Sequence, residues 1–455
     1  MGKRRASGIL ASVNSNTLRT ALAVTALSLL ATGAGGCKKT SAVGPDDPAS
    51  PTTGLPTPAA PATAPVSMPG NDVMTKLASS SNALGFDLYG RVKTAPGNLA
   101  MSPASISAAL AMTFGGARGE TEAQMKRVLH VDGSRDAVMS DWGTLSRALQ
   151  NPARPLTLRI ANRLFGEKSV KFEQPFIDKT KADFAAPLEP NDFIHAFEPA
   201  RAHINAWVEE QTAQRIKDLL PPAALDKLTR LVLVNAIYFL ADWLTPFEKT
   251  ATYDAKFDVS PTVSKKTPMM HGGGTRRFAQ AGGVKVLELE YKGGDASMVF
   301  VLPDAKDGLA DIEKSLTAAK FDEWRAALRP DQVAITLPRF EVSPTPSMSL
   351  GEDLKGLGMP DAFDREKADF TGIANPADRR ERLKIDKVFH KAFVKVDEKG
   401  TEAAAATAVV MSKGGGPPPG KALEFVADHP FVFAIVDKAT GLVLFLGRVV
   451  DPTTK

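Results

Sequence analysis

The apolar positions of this chain change their period part-way along it. Leu77, Leu84, Leu88 and Val92, with Phe86 beside them, recur at helical spacing, which predicts that folded structure opens on a helix near Asp72. Ser102-Pro103 reads as a second helix start, because serine can cap the first free amides and proline suits the first turn. The small apolar run from Ser105 to Met112 continues that helix. Later apolar residues come in short bursts bounded by Gly and Pro: Leu231–Val234, Ser297–Pro303, Val333–Pro338, Phe431–Val436 and Leu442–Phe445. These are strand signals. Helices followed by strands predict an α+β domain with large, mostly antiparallel sheets. Neither an internal repeat nor a second linker interrupts residues 72–453, so one domain is expected there.

The stretch ahead of Asp72 has a different character. Basic residues near the start precede the apolar run Ala21–Leu30, small residues follow from Ala31 to Gly36, and Cys37 is the only cysteine in 455 residues. This arrangement resembles a bacterial lipoprotein signal (residues 1–36), with Ala34 standing where that pattern usually has Leu. It implies a lipid on Cys37, an anchor in a membrane, and an extracellular or cell-envelope location. The apolar run is too short for a comfortable transmembrane helix. Residues 37–71 are dominated by Pro, Ala, Thr, Ser and Gly, cannot bury enough surface to fold, and read as a disordered tether.

Composition then removes several kinds of chemistry. The net charge is +5, but residues 1–70 hold six Lys and Arg against two Asp, so only +1 remains for the domain, and a nucleic-acid partner is not expected. A lone cysteine excludes an intrachain disulfide and a cysteine metal cluster. The six histidines are scattered, without HExxH spacing, so no metal is expected. There is no GxSxG elbow to suggest a serine hydrolase. The glycines Gly414–Gly416 are followed by prolines rather than by Lys-Ser/Thr, which makes them a loop and not a phosphate cradle. No cofactor is implied.

Positive signals come from ordered motifs. Asn98–Ile106 leads to Gly116–Thr121; Leu233–Phe239 is followed by Trp243, Phe247, Met269-Met270 and the stretch from Glu290 to Pro303. After them come Leu337–Phe340, Leu357–Met359, Ala368–Ile373, His390–Val394, Glu398–Ala408, Asp428–Phe431 and Gly447–Val449. Together they cover essentially all of 72–453, and the chain resembles the serpin family of serine-protease inhibitors. The resemblance implies a serpin fold, with three β-sheets, about nine helices and an exposed reactive-centre loop at 398–420. It implies an inhibitor rather than an enzyme, acting as a monomer on a serine protease that cleaves the loop, after which the loop enters the main sheet as an extra strand. Strand insertion of this kind is itself a standard example of strand addition and stored strain. The alternative within the family is a non-inhibitory surface binding or structural protein whose loop is cut without trapping.

The residues say whether this loop could insert. Strand side chains alternate between faces, so if Thr401 points inward then Ala403, Ala405, Thr407, Val409 and Met411 do too, and all six are small or apolar. Glu402 falls on the other face, and no proline interrupts 398–412. Gly400 supplies a pivot after Glu398. Fourteen residues from Thr401 to Gly414, at roughly 3.3 Å each, span about 46 Å, enough for one long strand. Counting from the hinge as the family does puts the scissile bond near Gly414. Lys413-Gly414 would suit a trypsin-like protease, the favoured target, and the bonds on either side of Met411 an elastase- or chymotrypsin-like one. The resemblance also assigns Ser102, Ser105, Asn235 and His390 to a polar cluster beneath the point where the sheet opens, and Trp243 to the place where the hinge first enters. Leu240-Ala241-Asp242 departs from the family's usual Lys-Gly before that tryptophan.

Overall fold

The computed structural model describes residues 71–343, 345–401 and 422–454. The expected signal at 1–36 and the expected tether at 37–71, Cys37 included, lie outside them up to residue 70, Asn71 instead opening the first helix; Ala403, Ala405, Thr407, Met411, Lys413 and Gly414 also lie outside. Folded structure opens on α1 (Asn71–Val92), which buries Leu77, Leu84, Phe86 and Leu88. Five more helices follow: α2 (Pro103–Gly116), α3 (Gly119–Val128), α4 (Arg135–Leu149), α5 (Gln174–Phe184) and α6 (Phe193–Gln211). Three shorter ones, α7 (Leu309–Ser315), α8 (Ala318–Ala327) and α9 (Gly351–Leu357), lie among the strands, so helices do not all precede strands. That makes nine α-helices among the described residues. Ser102 caps α2 as its sequence suggests, its hydroxyl accepting from the Ser105 amide, with Pro103 in the first turn.

The described strands form three sheets. The largest runs β1 (Leu99–Met101), β17 (Val443–Val449), β16 (Phe431–Asp437), β8 (Ala296–Pro303), β7 (Val284–Glu290), β6 (Val263–Ala281), β9 (Arg329–Pro338) and β15 (Leu423–Val426), with β5 (Thr252–Ser260) also on β6. Strands β8, β16 and β17 are buried end to end, which is why their sequences are continuous apolar bursts rather than alternating ones. The second sheet is ordered β10 (Phe340–Val342), β13 (Val394–Val396), β14 (Gly400–Thr401), β4 (Leu231–Asp242), β2 (Thr157–Glu167) and β3 (Leu188–Asn191). The third pairs β11 (Met348–Ser349) with β12 (Phe389–His390). Pairing is antiparallel throughout except for β15 on β9 and β3 on β2. This is the expected α+β architecture of helices and three sheets.

Strand β4 separates two apolar clusters. Ile237, Phe239 and Ala241 face the main core, whereas Val234 and Ala236 pack with Trp207, Val208 and Ile204 of α6. Residues of one parity therefore carry each face, as the period-two geometry of a strand demands. Among the described residues no helix is long and apolar enough to cross a membrane.

Candidate functional site

The six-stranded sheet holds the site. After β13 the chain turns through Asp397–Lys399 and re-enters the sheet as β14, between β13 and β4. The turn is closed by the Asp397 amide donating to the Gly400 carbonyl (3.0 Å) and by the Lys399 amide donating to the Asp397 carboxylate (2.9 Å). Gly400 stands opposite Asp242, and Thr401 stands opposite Ala241 on one side and Val396 on the other. The departure at Leu240-Ala241-Asp242 leaves the strand intact: β4 runs through Asp242, and Trp243 makes one further bridge to Tyr291.

Gly400 is required here by close approach rather than by an unusual backbone angle. A Cβ at this position would run into the Ala241 carbonyl and come within 2.8 Å of the Asp242 Cα, both backbone atoms that cannot swing aside. Gly400→Ala should lower the unfolding free energy by about 1–3 kcal/mol through overpacking. Chemical denaturation of the purified variant checks this, and an unchanged midpoint would contradict it.

Thr401 is buried and its hydroxyl shares a hydrogen bond with the Tyr291 phenol, 2.5 Å between oxygens. Tyr291 in turn stacks flat on Trp243, with centroids 4.5 Å apart and planes 8° apart. Complete burial pushes the Tyr291 phenol well above its ordinary pKa, against a smaller opposing effect of Thr401, so it remains a neutral partner. Trp243 also grips the hinge backbone. Its amide donates to the Lys399 carbonyl (2.6 Å), its indole N–H to the Asp397 carbonyl (3.0 Å), and the Phe247 amide to the Glu398 carbonyl (2.9 Å). Three consecutive hinge carbonyls are thus fixed by one short segment.

Glu398 is buried, and its carboxylate accepts from the Arg339 guanidinium (Nε at 2.7 Å, with Nη2 also in contact) and from the Thr252 hydroxyl (2.6 Å). Burial would raise this carboxyl, but those hydrogen bonds outweigh it and hold it below the usual glutamate value. The hinge is thereby pinned to β5 and to Arg339, just beyond β9. Sequence reading singled out Glu398 but not these partners. Only the Leu337–Phe340 motif, which contains Arg339, hinted at one of them.

Deeper along β4 lies a polar cluster. The Ser105 hydroxyl donates to Asn235 Oδ1, and Asn235 Nδ2 donates to Asn162 Oδ1 (2.6 Å). The Ser102 amide donates to His390 Nε2 (2.9 Å), while the Ser102 hydroxyl donates to the Leu444 carbonyl (2.6 Å). Ser102, Ser105, Asn235 and His390 are therefore brought together, with Asn162 as a member that no sequence signal marked. Trp243 is not part of this cluster and belongs to the hinge. Burial lowers the His390 pKa to about 4, so the ring is neutral at physiological pH and its Nε2 is free to accept.

The segment between α6 and β4 is a further feature the sequence did not reveal. Lys387 Nζ donates to the Ala223 (2.9 Å) and Ala224 (3.1 Å) carbonyls, and Lys391 Nζ donates to the Lys217 carbonyl (3.0 Å). Two lysines flanking β12 thus tie this segment down. No group of His, Cys, Asp and Glu suited to a metal occurs among the described residues.

The hinge strand β14 thus sits centrally in the six-stranded sheet, between β13 and β4, with a cluster of hydrogen-bonded neutral groups further along β4. The chain belongs to the serpin family: the serpin (serine protease inhibitor) family model matches residues 79–452. It is 42% identical over 389 residues to the leukocyte elastase inhibitor of Bos taurus and 41% identical over 389 residues to leukocyte elastase inhibitor A of Rattus norvegicus. Each match covers 83% of this chain and 100% of the relative. Among solved structures, human thyroxine-binding globulin matches with a TM-score of 0.75 and 29% identity, over 84% of this chain and 100% of that one. Cleaved Serpin 42Da matches with a TM-score of 0.73 and 30% identity, over 83% and 99%.

Proposed function

We propose that this chain inhibits serine proteases as a suicide substrate, its cleaved loop entering the six-stranded sheet between β13 and β4. The observation that carries the reading is that Gly400 and Thr401 already pair there as β14, antiparallel to both neighbours. Continuing the same register in the inserted state sets residues 403, 405, 407 and 409 opposite Phe239, Ile237, Asn235 and Leu233. The three inward alanine and threonine side chains then meet the main-core face of β4, with Thr407 level with the cluster of Asn235 and His390. Small side chains are what such a face admits without overpacking. The bond after Lys413 is the bait for a trypsin-like protease, and those on either side of Met411 are offered to elastase- or chymotrypsin-like enzymes. That relatives are named elastase inhibitors supports including an elastase-like class among the targets.

The inhibitor works as a monomer, held at the cell surface through a lipid on Cys37 and the tether of 37–71. The pattern of basic, apolar and small residues before that cysteine supports this location. Incubation with trypsin, an elastase and chymotrypsin, followed by denaturing gels and intact mass, tests the inhibitory reading. A denaturant-resistant complex with at least one enzyme is expected, with trypsin cutting after Lys413. Cleavage by all three without a complex would favour the non-inhibitory alternative.

A further inference from the structure

Strands β6 and β7 pair only from Arg277 and Glu288 onward to their hairpin. On the other side of that point they diverge, β6 staying on β9 while Leu289 and Glu290 turn toward the segment after β4. The Leu244 amide donates to the Glu290 carbonyl (2.8 Å) and the Lys292 amide to the Asp242 carbonyl (2.8 Å), stitching that segment across the mouth of the fork. A cavity of about 140 Å³ remains inside, lined by Trp243, Leu244, Leu289, Pro330, Thr275 and Arg276, with Arg277, Glu288 and Glu290 around it.

Its charges do not balance in the same way. Glu288 accepts from the Ser297 hydroxyl (2.6 Å) and pairs with Arg277 (3.1 Å), and Glu290 is in contact with Lys438. Arg276 forms no ion pair among the described residues; its guanidinium donates to the Thr275 carbonyl (2.8 Å). Burial lowers its pKa from the ordinary value, opposed by a weaker through-space attraction from Glu290. A half-buried cation that forms no ion pair among the described residues stands at the edge of an apolar recess formed by an indole, two leucines and a proline.

We propose that this fork is a binding site for small organic carboxylates carrying a compact apolar body, with Arg276 taking the carboxylate and Trp243, Leu244 and Leu289 the body. The size argues for a six-carbon body, because a cavity of about 150 Å³ holds a benzene ring. Arg is suited to the task, since its planar donors match a carboxylate in a two-point contact. Glu288 and Glu290 do not oppose the ligand strongly, because each is already neutralised by a basic side chain.

The test uses the full chain and benzoate, followed by titration calorimetry and by tryptophan emission. Benzoate should bind saturably at one site. Benzamide, its neutral analogue, and the Arg276→Gln variant with benzoate should each bind about tenfold or more weakly, as expected for loss of a charge-assisted contact of at least 1.4 kcal/mol. The variant's unliganded melting curve should match the parent, since Arg276 holds no ion pair; if it does not, Arg276→Lys, which keeps the charge but loses the two-point contact, should bind benzoate more weakly than the parent and more tightly than Arg276→Gln. No saturable benzoate binding, or equal binding by Arg276→Gln, would overturn the proposal. Neither result depends on whether the loop inserts, because binding is read without a protease.

Discussion

Thr401→Arg is expected to turn the inhibitor into a plain substrate, with trapped complex falling at least tenfold while loop cleavage continues. Thr401 is 2% exposed, sits in the strand between β13 and β4, and shares a hydroxyl–phenol hydrogen bond with Tyr291, which is itself stacked on Trp243. A guanidinium there has no carboxylate within the aromatic surroundings, and an unpaired buried charge costs about 3–5 kcal/mol, equivalent to two or more decades in a rate or partition. The hinge would therefore stay out of the sheet, leaving time for the protease to deacylate. Gel densitometry of complex against cut chain reads the result directly. Thr401→Val is the control: it keeps size and apolarity, loses one hydrogen bond, and should retain most trapping. Undiminished trapping by Thr401→Arg would sink the insertion mechanism for this chain.

The second large effect is on pH. His390 is buried, accepts from the Ser102 amide through Nε2, and has its pKa lowered by burial to about 4. In the unfolded chain an imidazole titrates near 6.5. Above that value both states are neutral and the contribution to stability is complete. Between about 6.5 and 4 the unfolded state binds a proton that the folded state refuses, so stability is lost as pH falls, by about 3 kcal/mol in total. Below 4 both states are protonated and the loss levels off. Denaturation midpoints measured from pH 8 to 4 should show this slope, and the difference between parent and His390→Gln isolates it from the other histidines. Identical slopes would show that His390 does not govern the acid limb.

How much of this was legible in the sequence depends on the distance over which each feature is decided. The stripe of α1, the Ser102-Pro103 start of α2 and the buried bursts of β8, β16 and β17 are local patterns, and the structure has those elements where the patterns lie. The alternation expected along the hinge is a local pattern too, and its first member, Thr401, is buried as that alternation requires. What composition and period could not supply is partnership. Thr401 meets Tyr291 across 110 residues and Glu398 meets Arg339 across 59. Asn235 meets Asn162 across 73. No periodicity encodes those pairings, because they arise only when β2, β4, β7 and the hinge are laid side by side. The ordered serpin motifs pointed to the polar cluster through family resemblance, yet Asn162 sits inside a strand whose pattern looked unremarkable and went unmarked. The parallel entry of β15 beside β9 was likewise invisible, since a four-residue strand carries no mark of its direction.

The claim on which the rest depends is that the cleaved loop becomes the strand beside β4. Backbone hydrogen exchange of Leu231–Leu240 and of Phe389–Val396, compared before and after a single cut in the loop, tests it most directly. If the loop inserts, amides on both segments gain strong protection after the cut, in the alternating pattern that a new antiparallel neighbour imposes. Exchange that is unchanged by cleavage would contradict the account.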